Sequence, residues 1–459
     1  MAKAKSFRVG KVRADLRGKT WYLTYQENGR RRRPRVGPDR DAARQMAAQI
    51  NAQLEVSVPT AFSFESVKID ELQRRWLDHH EQILRSSVHT VRRYRTATRH
   101  LLDFVAVQCP ALQTSQITTQ HAEQFVRYLR SIRVAPNGHP NSQKRPLLDN
   151  GVRYILETCR SLFAFAAKRR HLSPYAENPF SSLDLDRMPV EDARPIVILS
   201  SEQERGLLQA CDDWQFPIFL TLMLTGLRPG ELTHLLLPDD VDLEGRVLHI
   251  RNKPRLGWQV KTRNEREVPL VSVLAEVLRE FIGERRIGPL IVRRSLQFAE
   301  AEEFMLQTPE TMRRTLETRV QEASSSGSSQ SVRALIQLEA RGVWRDAGAI
   351  RTERIRKEFM QLTRQLGLPE LTAPKSLRHL FATGLQDGNV DPLIRCEIMG
   401  HSHGRSGGGL GMTANYTHTR PETKRKQLED AFSSRAAVVI ASEWLSTRKK
   451  LDNEGELRL

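Results

Sequence analysis

Arg228 occupies an unusual place in the sequence. It lies in residues 225–232, which read TGLRPGEL, at a break bounded by glycine and proline between two apolar stretches. Arginine is rarely buried without a partner, so this position favours an arginine that serves a site. An ion pair with a core carboxylate such as Glu231 explains the residue equally well on this fragment alone.

Further segments with reactive side chains follow Arg228. They are KTRNEREVPL at 261–270, KSLRHLFAT at 375–383, MGH at 399–401 and TANYTH at 413–418. These segments resemble motifs of the tyrosine recombinases, or phage-type integrases, in the same order. Residues 225–232 resemble the first arginine box, 261–270 the β-hairpin lysine and 375–383 the second box. Residues 399–401 and 413–418 resemble the third box and the nucleophile. One box is weak evidence, whereas four in order in a basic chain are specific. The resemblance covers about residues 198–430.

The resemblance implies a role for each reactive side chain. The hydroxyl of Tyr416 is expected to attack a DNA phosphodiester and form a 3′-phosphotyrosine, which stores the bond energy, so that no cofactor and no metal is needed. Arg228 and Arg378 are expected to stabilise the charge that gathers on the phosphate oxygens, a task suited to rigid, forked cations. Lys261 is the expected general acid for the leaving 5′ oxygen. His401 is expected to donate a hydrogen bond to the phosphate.

Two departures from the family pattern stand out. The family usually has histidine three residues before the second arginine, and this chain has Lys375 there. We expect Lys375 to replace it as a phosphate contact. His401 and Tyr416 are 15 positions apart, several more than usual, and the extra residues 404–411 are rich in glycine. They form either a hinge for the tyrosine segment or, as we prefer, a surface insertion.

The elements that must position Lys261 are strands. The residue pattern predicts strands at 246–251, 259–262 and 267–270. Lys261 then lies at the end of a hairpin whose turn is formed by residues 262–266. Lys253 and Arg263 are nearby basic side chains that compete for the same role.

The catalytic region, residues 198–445, also carries an insertion near 290–365. Lys261 and Lys375 are 114 positions apart, and a serine-rich segment at 323–331 lies between them. The pattern predicts helices on either side of this segment, at about 309–322 and 331–342. Contact with a partner and contact with DNA are both open uses for the insertion.

The N-terminal region concentrates positive charge. Residues 1–50 hold a net charge of +10 out of +18 for the whole chain. An Asn28-Gly29 pair between WYLTYQ and RRRRPRV predicts a hairpin, 6–13 a third strand, and 40–54 a helix capped by Asp39. This small three-stranded sheet with one helix resembles the arm-type DNA-binding domain of some integrases, at residues 1–56. Its candidate DNA contacts are Arg30, Arg31, Arg32, Arg33 and Arg35; the alternative is a solvated basic hairpin.

A helical region follows at 62–182. Amphipathic helices are predicted at 66–84, 88–107, 119–132 and 148–170. The region resembles the SAM-like core-binding domain of the family. Arg92, Arg93 and Arg95 are candidate DNA contacts, although a charged helix face is as often merely solvated.

The composition argues against a membrane-spanning protein and against a scaffold held by zinc or disulfides. The longest nearly apolar stretch, 216–227, is 12 residues long, whereas a membrane-spanning helix needs about 20. Four scattered cysteines give no zinc or disulfide pattern. We therefore expect a cytoplasmic protein that associates with the nucleoid when it binds DNA.

The predicted fold class is multidomain α+β: a small N-terminal sheet domain, an all-α domain, and a mainly α catalytic domain with a small β-sheet. The predicted function is site-specific DNA recombination or integration for a mobile element. The expected partner is double-stranded DNA, on which the chain forms a homotetramer; an accessory DNA-bending protein is a further candidate partner. In such a tetramer, the helix at 428–446 would dock into a neighbouring subunit. The alternatives are a topoisomerase of type IB chemistry and an inactive DNA-binding protein of the same fold.

Overall fold

The structure is a computed structural model that describes residues 5–108, 112–135, 138–139, 141–174, 176–192, 195–297, 307–327, 330–401 and 419–456. The chain divides into two compact units, Met1–Arg194 and Pro195–Leu459. Across the described ranges, no helix combines the length and the apolar character that a membrane span requires.

The first unit begins with an antiparallel sheet covered by one helix. Its elements are β1 (Ser6–Val9), β2 (Val12–Arg17), β3 (Thr20–Glu27), β4 (Arg30–Arg32), β5 (Arg35–Gly37) and α1 (Arg40–Glu55). β3 is the central strand and pairs with β2, β4 and β5. The predicted hairpin is confirmed, because Glu27 faces Arg30 across a two-residue loop in which Asn28 and Gly29 both have positive φ.

The sheet has five strands, whereas three were predicted. The segment 6–13 is divided at Gly10, which has φ +52° and folds β1 back onto β2, with Val9 opposite Val12. On the other side of β3, Pro34 separates β4 from β5, because proline has no N–H for a strand ladder.

The inner face of this sheet packs on α1. Trp21, Leu23 and Tyr25 alternate along β3 and are buried, as the two-residue period of a strand requires. They form one core with the buried face of α1. Asp39 caps the helix as predicted, since its carboxylate accepts hydrogen bonds from two backbone N–H groups of the first turn.

Four α-helices make up most of what the structure describes in the rest of the first unit, and all four were predicted. They are α2 (Ile69–Asp78), α3 (Val88–Gln108), α4 (Thr119–Ser131) and α5 (Asp149–Lys168), and between the last two lie the short paired strands β6 (Arg133–Val134) and β7 (Arg145–Pro146). A π-helical turn, His79–Ile83, extends α2. The apolar faces of the helices meet in a second core, which includes Trp76, Phe125 and Phe163.

The second unit is mainly helical. Its elements are α6 (Ser201–Gln209), α7 (Gln215–Thr225), α8 (Pro229–Leu232), β8 (Leu236–Leu237), β9 (Val241–Asp242), β10 (Val247–Ile250), β11 (Arg266–Pro269), α9 (Ser272–Ile282), β12 (Gly288–Pro289), α10 (Arg294–Gln297), α11 (Pro309–Ser325), α12 (Val332–Asp346), α13 (Thr352–Gln365), α14 (Lys375–Asp387), α15 (Pro392–Met399), α16 (Pro421–Phe432) and α17 (Ala436–Glu456). Helices and small antiparallel sheets in both units agree with the predicted fold class.

Helix α7 lies at the centre of the second unit. All its residues are buried, and it packs against α9, α14 and α17. It ends at Gly226, which has φ +60°. A Cβ there would lie 2.3 Å from Cδ1 of Phe381, so both the backbone conformation and the close approach require glycine. This sharp ending places Arg228 at the start of the next turn.

The predicted strand at 259–262 is wrong. β10 pairs directly with β11, with Ile250 opposite Arg266, so residues 251–265 form a loop outside the sheet. A 3₁₀ turn at Pro254–Leu256 and Gly257, with φ +67°, bend the chain away from the ladder. We call residues 251–265 the lysine loop, since Lys261 lies in it.

The two helices predicted for the insertion are confirmed. α11 and α12 pack against each other and share a separate small core that includes Met312, Leu316, Val343 and Trp344. This core also contains Leu256 of the lysine loop. We call the pair α11 and α12 the insertion hairpin.

The C-terminal helices pack on their own chain. Leu428, Phe432 and Ile440 belong to the main core of the second unit. Trp444 stacks on Phe216 of α7, with ring centroids 5.0 Å apart and planes 10° apart. The apolar face of α17 covers α6, α7 and α9 of the same chain, and docking of these side chains into a neighbouring subunit stays a prediction.

Candidate active site

Arg228 begins α8 and bonds to the carboxylate of Glu231. Its backbone N–H donates to Oε2 of Glu231 at 2.9 Å, and its Nη1 donates to Oε1 at 2.7 Å. Pro229 at the first helical position suits this cap, since its missing N–H has no partner to lose there. The Arg228 side chain keeps 24% of its surface exposed. The ion pair with Glu231 is therefore confirmed, whereas the role of Arg228 in a site stays a prediction.

Glu231 joins Arg228 to a second arginine, Arg266. Nη2 of Arg266 donates to Oε2 of Glu231 at 2.7 Å, and its Nη1 donates to Oε1 at 3.2 Å. Burial raises the pKa of Glu231, but the hydrogen bonds and charges of Arg266 and Arg228 outweigh it and lower that pKa below its ordinary value. Nε of Arg266 also donates to the carbonyl of Ile398 at 2.8 Å, so the carboxylate is linked to the end of α15.

Arg378 approaches the same place from α14. Its Nη1 donates to the carbonyl of Gly226 at 2.5 Å, and its Nη2 donates to the carbonyl of Met399. The residue is 9% exposed. Burial and the nearby charge of Arg228 lower the pKa of Arg378 to about 10, which leaves the guanidinium cationic at neutral pH.

His401 follows directly on the end of α15. Gly400 has φ +63°, and a Cβ there would lie 2.9 Å from Cδ of Arg266, so this turn also requires glycine. The Nε2 atom of His401 lies 3.4 Å from Nη2 of Arg378. Partial burial and the charges of Arg378, Arg228 and Arg266 lower the pKa of His401, which favours the neutral ring near pH 7. Because arginine only donates, that ring accepts at Nε2 and carries its proton on Nδ1.

These residues form a cluster of fixed positive charge. Three guanidinium groups, of Arg228, Arg266 and Arg378, surround one carboxylate, Glu231, which leaves two positive charges uncompensated by the described side chains they contact. Fixed donors aimed at one point stabilise developing negative charge without reorganising. A phosphodiester carries one negative charge and gains a second as a nucleophile adds, so the charge of the cluster suits that reaction.

The two predicted lysines lie outside this cluster. Lys375 is exposed at the first position of α14, one helical turn before Arg378. Partial burial and then the charge of Lys375 lower the pKa of His379. Lys261 is exposed at the tip of the lysine loop, and within the described chain it makes no hydrogen bond or ion pair. Its rival Lys253 is bound elsewhere, since Nζ lies 2.8 Å from Oδ2 of the buried Asp240.

The predicted nucleophile, Tyr416, lies outside the described residues, as does the glycine-rich segment 404–411. The described ranges end at His401 and resume at residue 419. The role of Tyr416 therefore stays a prediction.

The candidate DNA contacts of the first unit are mostly exposed. Four of the five candidate arginines near the Asn28-Gly29 hairpin are exposed, and we call them the arm arginines: Arg30, Arg31, Arg33 and Arg35. Arg32 differs, because its Nη2 donates to the carbonyl of Phe64 at 3.4 Å and its Nε lies 3.7 Å from Glu27. On α3, Arg92 and Arg95 are exposed.

Arg93 is also exposed, but its guanidinium lies over the ring of Tyr154, with its carbon 4.2 Å from the ring centroid. This stacking fixes the side chain against α5 and leaves the outer face of the guanidinium open.

Sequence reasoning missed Arg266 as a site residue. It lies five positions after Lys261 in the same segment, and it is 5% exposed at its side chain. The sequence signal that could have identified it is the nearly buried carboxylate of Glu231, which has two oxygens and can pair with a second arginine besides Arg228. Its contacts are 35 residues earlier and 132 residues later in the chain, which no local pattern reveals.

The sequence of the chain matches the models of a known protein family. The phage integrase family matches residues 198–423, and the phage integrase SAM-like domain matches residues 74–181. The chain belongs to the phage integrase family, the tyrosine recombinases.

Several characterised proteins are similar to this chain. The transposases from transposon Tn916 of Enterococcus faecalis and transposon Tn1545 of Streptococcus pneumoniae are each 23% identical over 253 residues, which is 52% of this chain and 52% of the relative. The chain thus spans about half the length of the curated relatives it matches.

Similar solved structures include an integrase of transposon Tn1549, residues 82–397, in complex with circular intermediate DNA, at 18% identity and TM-score 0.49, covering 79% of this chain and 100% of that one. A lambda integrase tetramer bound to a Holliday junction is 15% identical with TM-score 0.45, and covers 87% of this chain and 99% of that one.

Proposed function

We propose that this protein is a site-specific DNA recombinase of the integrase type, which cleaves and rejoins DNA strands through a 3′-phosphotyrosyl intermediate. The observation that carries the proposal is the cluster of Arg228, Arg378 and His401, in which Glu231 bonds to Arg228 and to Arg266. Together with membership of the phage integrase family, this geometry supports phosphoryl transfer.

The proposed reaction begins with attack by the oxygen of Tyr416 on phosphorus, while the phenolic proton passes to solvent or to a neighbouring base. The bond from phosphorus to the 5′ oxygen then breaks, and its electron pair stays on that oxygen. Lys261 gives the leaving oxygen a proton and so releases a free 5′ hydroxyl. Rejoining reverses these steps with the 5′ hydroxyl of another strand as the nucleophile.

The phosphate oxygens are held by the arginines in this proposal. Nη1 of Arg228 donates one hydrogen bond to Glu231, and Arg378 donates hydrogen bonds to two backbone carbonyls. A guanidinium group has five N–H donors, so each arginine has further donors for a phosphate. The hydrogen bonds to the carboxylate and the carbonyls fix both guanidinium groups before the substrate binds. Donors that are already in place stabilise a transition state effectively, because they need not reorganise during the reaction. His401 and Lys375 are the further phosphate contacts that we propose.

The remaining assignments follow from the family resemblance. We propose residues 1–56 as an arm-type domain, 62–182 as a core-binding domain and 198–445 as the catalytic domain. The arm arginines, with Arg92, Arg93 and Arg95, would contact DNA phosphates. We also propose a homotetramer on DNA, assisted by a DNA-bending protein, acting for a mobile element and associated with the nucleoid.

Covalent trapping tests the proposed reaction. The protein is incubated with nicked duplexes made from a library of the DNA that flanks its own gene and of host DNA, then denatured, and protein linked to DNA is sought on a gel. We expect an adduct with the wild type and none with Tyr416→Phe, which lacks only the nucleophilic oxygen. Equal adducts from both proteins would refute the assigned nucleophile.

Two rival functions predict other outcomes. A type IB-like topoisomerase would relax supercoiled plasmids that carry no specific site. A site-specific recombinase would exchange strands only between the DNA sequences that are recovered in the covalent adducts, which we call trapped sites. An inactive DNA-binding protein would bind DNA in a salt-sensitive manner and give no adduct with any duplex of the library.

A further inference from the structure

The insertion hairpin grips the lysine loop. Nε1 of Trp344, on α12, donates to the carbonyl of Leu256 at 3.0 Å, and Leu256 itself is buried in the core of the hairpin. Gly257 passes so close to α12 that a Cβ there would lie 2.5 Å from Cβ of Ala340. The first half of the loop is therefore packed as part of the hairpin.

The gripped half is bonded to the residue before Lys261. Lys253 and Trp258 exchange two backbone hydrogen bonds, of 3.0 and 3.1 Å, which close the turn between them. Val260 is 2% exposed, and its N–H donates to Oδ1 of Asn252 at 2.9 Å. The backbone that precedes Lys261 is therefore fixed, although the side chain of Lys261 is exposed.

The same loop is stacked on the Arg228 turn. His234 follows α8, and its Nδ1 donates to the carbonyl of Gly230 at 2.7 Å. Its ring stacks on Trp258 at 4.9 Å and meets the edge of Trp344 at 4.5 Å. Burial lowers the pKa of His234 to about 4, so the ring is neutral and apolar enough for this stack. One aromatic stack therefore links the insertion hairpin, the lysine loop and the turn that bears Arg228.

We propose that the insertion hairpin is a positioning element, which acts through Trp344 to hold the lysine loop so that Lys261 reaches the leaving oxygen. This inference rests on the proposed function. A lysine side chain is long and flexible, and a general acid works only within hydrogen-bond reach of its target. Because Lys261 has no partner of its own among the described residues, its position depends on the base of the loop.

The test compares two leaving groups. In one duplex the scissile phosphate has its ordinary 5′ oxygen, and in the other sulfur replaces that oxygen. A thiol has a pKa of about 8.5, so the sulfur leaves as a thiolate without a proton from the enzyme. Loss of Lys261 should therefore slow cleavage of the oxygen duplex by about 100-fold or more and leave the sulfur duplex nearly unaffected.

Trp344→Phe removes the indole N–H and keeps an aromatic ring. If the hairpin acts through Lys261, this variant cleaves the oxygen duplex about tenfold more slowly, as small misplacement of a catalytic group does, and the sulfur duplex within about twofold of wild type. In a Lys261→Ala background it has no further effect. Trp214→Phe is the matched control, because Nε1 of Trp214 donates to the carbonyl of Val292 at the same 3.0 Å in the same unit.

The outcomes separate the two ideas. Three results would overturn the positioning role and leave the proposed function standing. They are equal slowing of the cleavage of both duplexes by Trp344→Phe, cleavage of both duplexes at the wild-type rate, and a further loss of cleavage rate when Trp344→Phe is added to Lys261→Ala. If the wild type forms no adduct with any duplex of the library, so that no site is found on which to build the two duplexes, the proposed function itself fails. Thermal unfolding is measured for each variant, and Gly257→Ala, which pushes Ala340 away from the loop, gives the same selective loss if Trp344→Phe does not fold.

Discussion

Glu231 should be the most sensitive carboxylate of the site, and Glu231→Gln tests this. The substitution keeps the shape of the side chain and one acceptor oxygen but removes the negative charge. Arg228 and Arg266 would then face each other and Arg378 with no carboxylate between them. The side chains of Glu231 and Arg266 are only 2% and 5% exposed, so water cannot replace the lost charge.

The magnitude follows from this burial. Removing one partner of a buried ion pair costs about 3–5 kcal/mol of unfolding free energy, and we expect the lower value, about 3 kcal/mol, because glutamine still accepts one hydrogen bond. For a unit of this size, about 2 °C of melting temperature is lost per kcal/mol, so the transition should fall by about 6 °C. Glu276→Gln is the control: its pair with Arg279 is about half exposed on α9, and we expect a loss under about 1 kcal/mol.

The assay is thermal unfolding by circular dichroism at pH 7 and at lower pH, beside the rate of adduct formation. The folded-state pKa of Glu231 is lowered, so its stabilisation is complete above the unfolded value and is lost as pH falls through the folded value. The difference between wild type and Glu231→Gln should therefore shrink below about pH 4. Equal melting temperatures at pH 7, with unchanged adduct formation, would refute the argument that this carboxylate holds the arginines.

Three further predictions concern other parts of the chain. Gly400→Ala should slow adduct formation at least about tenfold, because its Cβ would displace Arg266, whereas Gly367→Ala, with a similar positive φ and nothing within 4 Å, costs only about 1 kcal/mol of stability. The pKa of His234, about 4, is lowered, so its stabilisation is present above about pH 6.5 and lost towards pH 4; urea unfolding of wild type should lose up to about 3 kcal/mol more over this range than that of His234→Gln. Changing the arm arginines to glutamine should reduce the slope of log K against log salt by about three to four in filter binding, while Arg32→Gln, whose side chain turns towards the protein, should change it by less than about one.

The members of the arginine cluster Arg228, Arg378 and His401 could be located from sequence because each lies in a short segment with a recognisable pattern. Arg228 lies beside the glycine and proline that its turn requires, and Arg378 and His401 stand in boxes of fixed internal spacing. The hairpin at Asn28-Gly29 was predictable for the same reason, since a two-residue turn is set by its own residues.

What could not be predicted depends on contacts between distant segments. The run at 259–262 has the alternation of a strand, but Val260 is buried by the core and bonded to Asn252, so no ladder forms. The contacts of Arg266 and of Trp344 join segments more than 30 residues apart. The strand count failed at Gly10, because its positive φ turns the chain within a run that reads as one strand.

The arginine cluster also bears on how the chain is made. Its parts are spread along the sequence from Gly226, whose carbonyl orients Arg378, to Met399, whose carbonyl completes that orientation. During synthesis from the N-terminus, a nascent chain that stops before residue 399 has the first arginine and its carboxylate but cannot fix the second. The complete arginine cluster therefore forms only when nearly the whole of the second unit has left the ribosome. A product truncated before residue 399 keeps the basic N-terminal region and Arg228, but it lacks the Met399 carbonyl that helps to orient Arg378.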